Sequence, residues 1–204
     1  VWGAKQECLT TGAGKIFTVA SLSASTKPGR VAAYPNVFYG CEAGVCTPAS
    51  GLPARVSKVM GTISAFQTSG EKKAGRYNAS YDIWFSTAPM KTGQADGAEL
   101  MIWFNAPGNA LESRVKYTVG GVQYYLAHWR SHLGKTWWNY IQFRRVRPAS
   151  GGSSYLKIGQ FIQVAEKLRL VKSSWWMDNV EAGFEIWSGG SNVTATRFWA
   201  KARS

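Results

Sequence analysis

Three segments of this chain each set a carboxylate two or four residues before a tryptophan: YNASYDIWF at 77–85, DGAELMIWFN at 96–105 and VEAGFEIWSGG at 180–190. Side chains alternate across a β-strand, so residues two apart share a face. In the second segment Leu100, Ile102 and Phe104 form a core face, which turns Glu99, Met101 and Trp103 the other way. In the third, Val180, Ala182, Phe184 and Ile186 face inward and Glu181, Gly183, Glu185 and Trp187 oppose them. In the first, the core set is Tyr77, Ala79, Tyr81, Ile83 and Phe85, leaving Asn78, Ser80, Asp82 and Trp84. Turn residues between Ser86 and Gly97 predict a hairpin, and a symmetric one is expected to put Asp82 directly opposite Glu99. Cross-strand partners lie about 5 Å apart at Cβ, close enough for two acids to share a proton.

Two carboxyls beside aromatic rings suit the hydrolysis of a glycosidic bond. One carboxyl attacks the anomeric carbon, and the other protonates the leaving oxygen and then activates water. Flat rings stack on the apolar faces of sugars. The competing reading is three half-exposed acids on unrelated outer faces, because parity alone does not make strands neighbours. Other chemistries find less support. His128 and His132 flank Trp129 and Arg130 with no nucleophile-elbow motif, so they read as structural or surface residues. Cys8, Cys41 and Cys46 with two distant histidines give no metal-ligand spacing. No metal and no organic cofactor is expected. Cys41 and Cys46 bracket a short loop and can close a small disulfide ring, which leaves Cys8 over.

The elements that position these acids are mostly strands. Gly, Ser, Thr and Pro clusters punctuate the chain at 10–14, 25–29, 47–53, 69–73, 148–154 and 188–192, with β-branched and aromatic runs between them. That alternation predicts an all-β sandwich or barrel, one domain over residues 1–204. One segment is helical in period: Ile158, Phe161, Ile162, Ala165 and Leu168 share a face within 155–171, with Ser153 or Ser154 as the expected N-cap. The expectation is a β-sandwich with one helix packed outside.

The 28 aromatic residues, 10 of them Trp, suit either a strand-rich core or a stacking groove. The formal charge is +13, with basic residues scattered and the tightest cluster at Arg144, Arg145 and Arg147. No zinc-finger spacing or RNA-binding signature accompanies it, so no specific nucleic-acid partner is expected. No apolar run is long enough to span a membrane. The chain starts at Val1 without a signal-peptide pattern, which reads as a processed or truncated form.

At its acid-bearing motifs the sequence resembles glycoside hydrolase family twelve, the small β-jelly-roll endoglucanases, and its bacterial members in particular. The matching stretches are Tyr34-Pro35, Tyr39-Gly40-Cys41, Cys46-Thr47, Leu52-Pro53, the three segments above and Trp138-Asn139, in family order along nearly the whole chain. The resemblance implies a jelly-roll sandwich of two curved antiparallel sheets. It implies Glu99 as nucleophile, Glu185 as general acid/base and Asp82 as assisting carboxylate. The sugar contacts expected are Trp2, Asn78, Met101, Trp103, Asn139 and Trp187, with Trp2 matching the tryptophan of an N-terminal Asn-Asn-x-Trp-Gly motif. The family's first strand, and the cysteine that pairs with Cys8, would then lie before Val1. Departures are Glu42-Ala43-Gly44-Val45 between the paired cysteines, a short loop after Asn105, Glu181 where Gln is common, and the high positive charge.

The expected function is that of a secreted, monomeric, retaining endo-β-1,4-glucanase acting on cellulose or related β-glucans. Xyloglucan or mixed-linkage β-glucan is the alternative substrate. A non-catalytic carbohydrate- or polyanion-binding module is the alternative of another class.

Overall fold

The computed structural model describes residues 4–24, 30–70, 75–105 and 115–203. These form two packed sheets. The smaller has the order β1 (Ala4–Gly12), β2 (Lys15–Ala24), β15 (Thr194–Lys201), β6 (Ile63–Ser69), β12 (Gly152–Lys157). The larger runs β4 (Val45–Cys46), β3 (Asn36–Glu42), β14 (Asn179–Gly189), β7 (Gly75–Ser86), β8 (Ala98–Trp103), β11 (Thr136–Arg145), β10 (Val122–Leu133), β9 (Lys116–Val119). Short strands β5 (Ala54–Arg55) and β13 (Trp176–Met177) attach beside β7. Pairing is antiparallel throughout the described strands except between β8 and β11, which run parallel.

The core lies between the sheets, where the inward sets read from parity meet. Tyr81, Ile83, Phe85, Leu100, Ile102, Phe184 and Ile186 are all fully buried. Edge-to-face rings tie the layers: Phe17 on β2 to Phe184 on β14 at 5.9 Å, and Phe66 on β6 to Tyr81 on β7 at 6.1 Å. Such pairs add about 0.5–1.5 kcal/mol each beyond their burial.

Two expectations are corrected. The hairpin register puts Asp82 opposite Met101 and Trp84 opposite Glu99. The Gly97 N–H donates to the Phe85 carbonyl at 3.0 Å, and Asp96 ties the turn by accepting from the Thr87 N–H and hydroxyl. That closure fixes the ladder two residues away from the expected pairing and leaves Asp82 diagonal to Glu99. The helix, α1 (Ile158–Lys167), begins later than its period suggested. Residues 152–157 pair with β6 instead, so Ser153 bonds the Tyr155 backbone and Lys157 is a cap residue without a side-chain bond. Ile158, Phe161, Ile162 and Ala165 form the buried stripe at i, i+3, i+4 and i+7.

Candidate active site

The outer face of the larger sheet carries the acids. In register across it, Glu181 on β14 faces Asp82 on β7, which faces Met101 on β8, which neighbours Gln142 on β11. One row along, Trp84, Glu99, Tyr140 and Trp129 follow one another on β7, β8, β11 and β10. Glu185 lies on β14 opposite Asn78. Parity put the three acids on one face, and β7 makes them neighbours by lying between β14 and β8.

Each carboxyl is nearly closed off, with 4% exposure at Asp82, 9% at Glu99 and 8% at Glu185. Each glutamate is held by one neutral donor. Trp138 Nε1–H donates to Glu99 Oε2 at 2.6 Å, and Asn78 Nδ2–H donates to Glu185 Oε2 at 2.7 Å. Burial pushes Glu99 up to about 8, opposed by the Trp138 bond and reinforced by the charge of Glu185. Burial likewise pushes Glu185 up to about 7, opposed by the Asn78 bond. Asp82 is raised well above the usual carboxylate range by burial and then by Glu99, the first of its charged neighbours. Its Oδ1 is buried without a hydrogen-bond partner. Tyr140 is kept neutral by burial and by the charges of Glu185 and Glu99, and its hydroxyl donates to Met101 Sδ at 3.0 Å.

Aromatic rings frame the acids. Trp84 meets Trp138 edge-on at 5.6 Å, Trp103 meets Trp187 at 5.8 Å, and Trp129 stacks on Tyr140 at 4.1 Å. A cavity of about 310 Å³ opens beside Asp82, Trp84, Glu181, Glu42 and Asn36. Buried acids, neutral donors and ring walls thus share one face of the larger sheet.

The model of "Glycosyl hydrolase family 12" matches residues 1–202. The chain belongs to glycosyl hydrolase family 12. Its relatives include Endoglucanase S of Pectobacterium parmentieri, 30% identical over 185 residues that cover 82% of this chain. The chain spans 65% of that protein's length. Among solved structures, endoglucanase cel12A from Rhodothermus marinus superposes with a TM-score of 0.86 at 33% identity, covering 100% of this chain and 89% of that one. A metagenome-derived family 12 endoglucanase gives 0.87 at 32%, covering 99% and 87%.

This family 12 chain treats the other expected site residues unevenly. Met101, Trp103 and Trp187 lie on the face that carries the acids. Asn78 is fully buried and serves Glu185. Asn139 is turned to the opposite face: it neighbours Ala98, donates to the Leu170 carbonyl at 2.8 Å and accepts from Arg130. Trp2 lies outside the described residues, as does the segment after Asn105. Cys41 and Cys46 form a disulfide, and Cys8 is a free thiol. His128 and His132 are exposed, the latter stacked on Trp137. Sequence reading missed Trp138, Tyr140 and Gln142. The alternation of β11 carried the signal, since Ile141 and Phe143 mark its core face, but only the parallel neighbour β8 ties it to Glu99. Among the described residues no group of three or more His, Cys, Asp or Glu can hold a metal ion, and no helix is long and apolar enough to cross a membrane.

Proposed function

We propose that this chain is a retaining endo-β-1,4-glucanase acting on polysaccharide outside the cell, with Glu99 as nucleophile, Glu185 as general acid/base and Asp82 as assisting carboxyl. The observation that carries the proposal is the pair of buried glutamates on β8 and β14, each held by a single neutral donor and flanking β7. Retention requires carboxyls about 5–5.5 Å apart. The charge of Glu185 acts on Glu99, which supports two groups working on one bond.

In the first step a Glu99 oxygen attacks the anomeric carbon as the bond to the leaving oxygen breaks, and the Glu185 proton passes to that oxygen. In the second, Glu185 takes a proton from water, whose oxygen attacks the same carbon and releases Glu99. Glu99 must be ionised to attack, yet burial and the charge of Glu185 hold a proton on it up to about 8, above the value of about 7 for Glu185, so that proton has to pass to Asp82 within the site before attack. The Trp138 N–H favours its charged form, and Asp82, with no donor on Oδ1, takes the proton the two would otherwise share. Glu185 must start protonated, and burial keeps it so below about 7. The Cys41–Cys46 disulfide supports an oxidising environment.

Reducing-sugar release from carboxymethyl-cellulose, barley β-glucan and xyloglucan by wild type, Glu99→Gln and Glu185→Gln tests the proposal. The expected result is activity on at least one polymer that drops about 10²–10⁴-fold in both variants, with the β-anomer formed first by proton NMR. A folded wild type inactive on all three would favour the binding-module reading, and an α-anomer first would overturn retention.

A further inference from the structure

Glu99 and Glu185 occupy diagonal corners across β7: Glu99 lies in the row of Trp84, and Glu185 in the row of Asn78. A glucan threaded between them must follow the other diagonal. One end of that diagonal is the cavity beside Glu181, Glu42 and Asp82. The other is the row Trp103, Arg144, Tyr125 and Lys116 on β8, β11, β10 and β9.

These ends differ in charge. At the cavity end, Glu181 hydrogen-bonds Glu42 and accepts from Asn36 Nδ2–H at 2.8 Å. Asp82, at least nine-tenths buried and with an unpartnered Oδ1, lines the same cavity, as does Lys91. At the far end the Arg144 guanidinium lies 5.0 Å and the Lys116 ammonium 5.5 Å from the Tyr125 ring centroid. Tyr125 and Arg144 are half-buried and Lys116 is exposed.

We propose that this cleft reads carboxylate substituents on a β-1,4-glucan by position, admitting an acidic sugar unit at the Tyr125 end and excluding one at the Glu42–Glu181 end. The proposal rests on the glucanase reading above. A carboxylate brought into the cavity faces the carboxyl oxygens of Glu42 and Glu181 and loses its hydration in a poorly solvated space, which selects against it. At Tyr125 the ring offers a stacking face and two cations offer charge-assisted bonds. The arginine cluster of the sequence thereby divides: Arg144 lies on the cleft face, and Arg145, one residue on, lies on the other.

The experiment compares carboxymethyl-cellulose with hydroxyethyl-cellulose, a neutral polymer bearing a comparably small substituent. Fragment ends from the first are sequenced by mass spectrometry. Wild type is expected to leave carboxymethyl groups next to the cut on one side only. Arg144→Gln with Lys116→Gln is expected to lower the ratio of kcat/KM on the acidic to the neutral polymer about two- to fivefold, as partly exposed charges do. Raising salt should shrink the difference. Glu42→Gln is expected to move the ratio up and blur the asymmetry, which keeps the test alive if the double variant does not fold. Substituents on both sides of the cut in wild type, or a ratio unchanged in both variants, overturns the proposal. Failure of wild type on the neutral polymer and on unsubstituted β-glucan strikes the glucanase reading itself.

Discussion

The two glutamates are tuned by single neutral donors, so removing either donor should move one limb of the pH–activity profile. The Trp138 N–H favours ionised Glu99, and Trp138→Phe should raise its pKa and shift the acidic limb of kcat/KM upward. Asn78→Ala should raise the Glu185 pKa and shift the alkaline limb upward, with kcat falling about tenfold as the acid loses its orientation. A merely structural role for either residue would lower activity without moving a limb. The acids were legible because each carries its core partners in the same strand: Leu100 and Ile102 fix where Glu99 points. Trp138 was not, because its partner on β8 is reached through a parallel crossover that no local pattern announces. Asn139 shows the same limit: the Trp138-Asn139 pair alone does not say which residue faces the cleft, and only the β8 neighbour turns Asn139 away.

At the level of elements, the sheets and helix were predicted by periodicity and corrected at their joints. Strand existence follows from alternating apolar residues, whereas register follows from turn closure, which is why Asp82 was placed two residues from its true partner. The helix start failed similarly, since an edge of β6 claimed residues 152–157 first. That joint is tight. A Cβ on Gly159 would lie 1.6 Å from the Met60 carbonyl oxygen, so Gly159→Ala should force α1 away from its seat. Phe161 on the same helix meets Tyr124 and Phe143 edge-on at 5.0 and 5.1 Å. Phe161→Ala should cost about 3–5 kcal/mol in chemical denaturation. Loss below 1 kcal/mol would show that the helix contributes little to the fold.

Over the whole molecule, five of the 11 acidic residues are buried among the described residues: Asp82, Glu99, Asp178, Glu181 and Glu185. All five are raised by burial, Asp178 to about 7. Between about pH 4.5 and 8 the native state therefore holds more protons than the unfolded chain, and stability falls as pH rises. The melting temperature should decline from pH 5 to pH 8, by about 2–4 °C for each kcal/mol lost. Glu99→Gln, which cannot ionise, should flatten that decline even as it abolishes turnover. A melting temperature that rises over this range would mean the cleft acids are ionised and paired in the resting protein.

The smaller sheet places β15 at its centre, between β2 and β6. A strand built from residues 194–201 thus joins two that were synthesised long before it. Until it arrives, both carry open edges, and the layer that backs the cleft has a gap through its middle. Closure of the smaller sheet is consequently a late step, since neither β2 nor β6 has its inner neighbour until residues 194–201 are present.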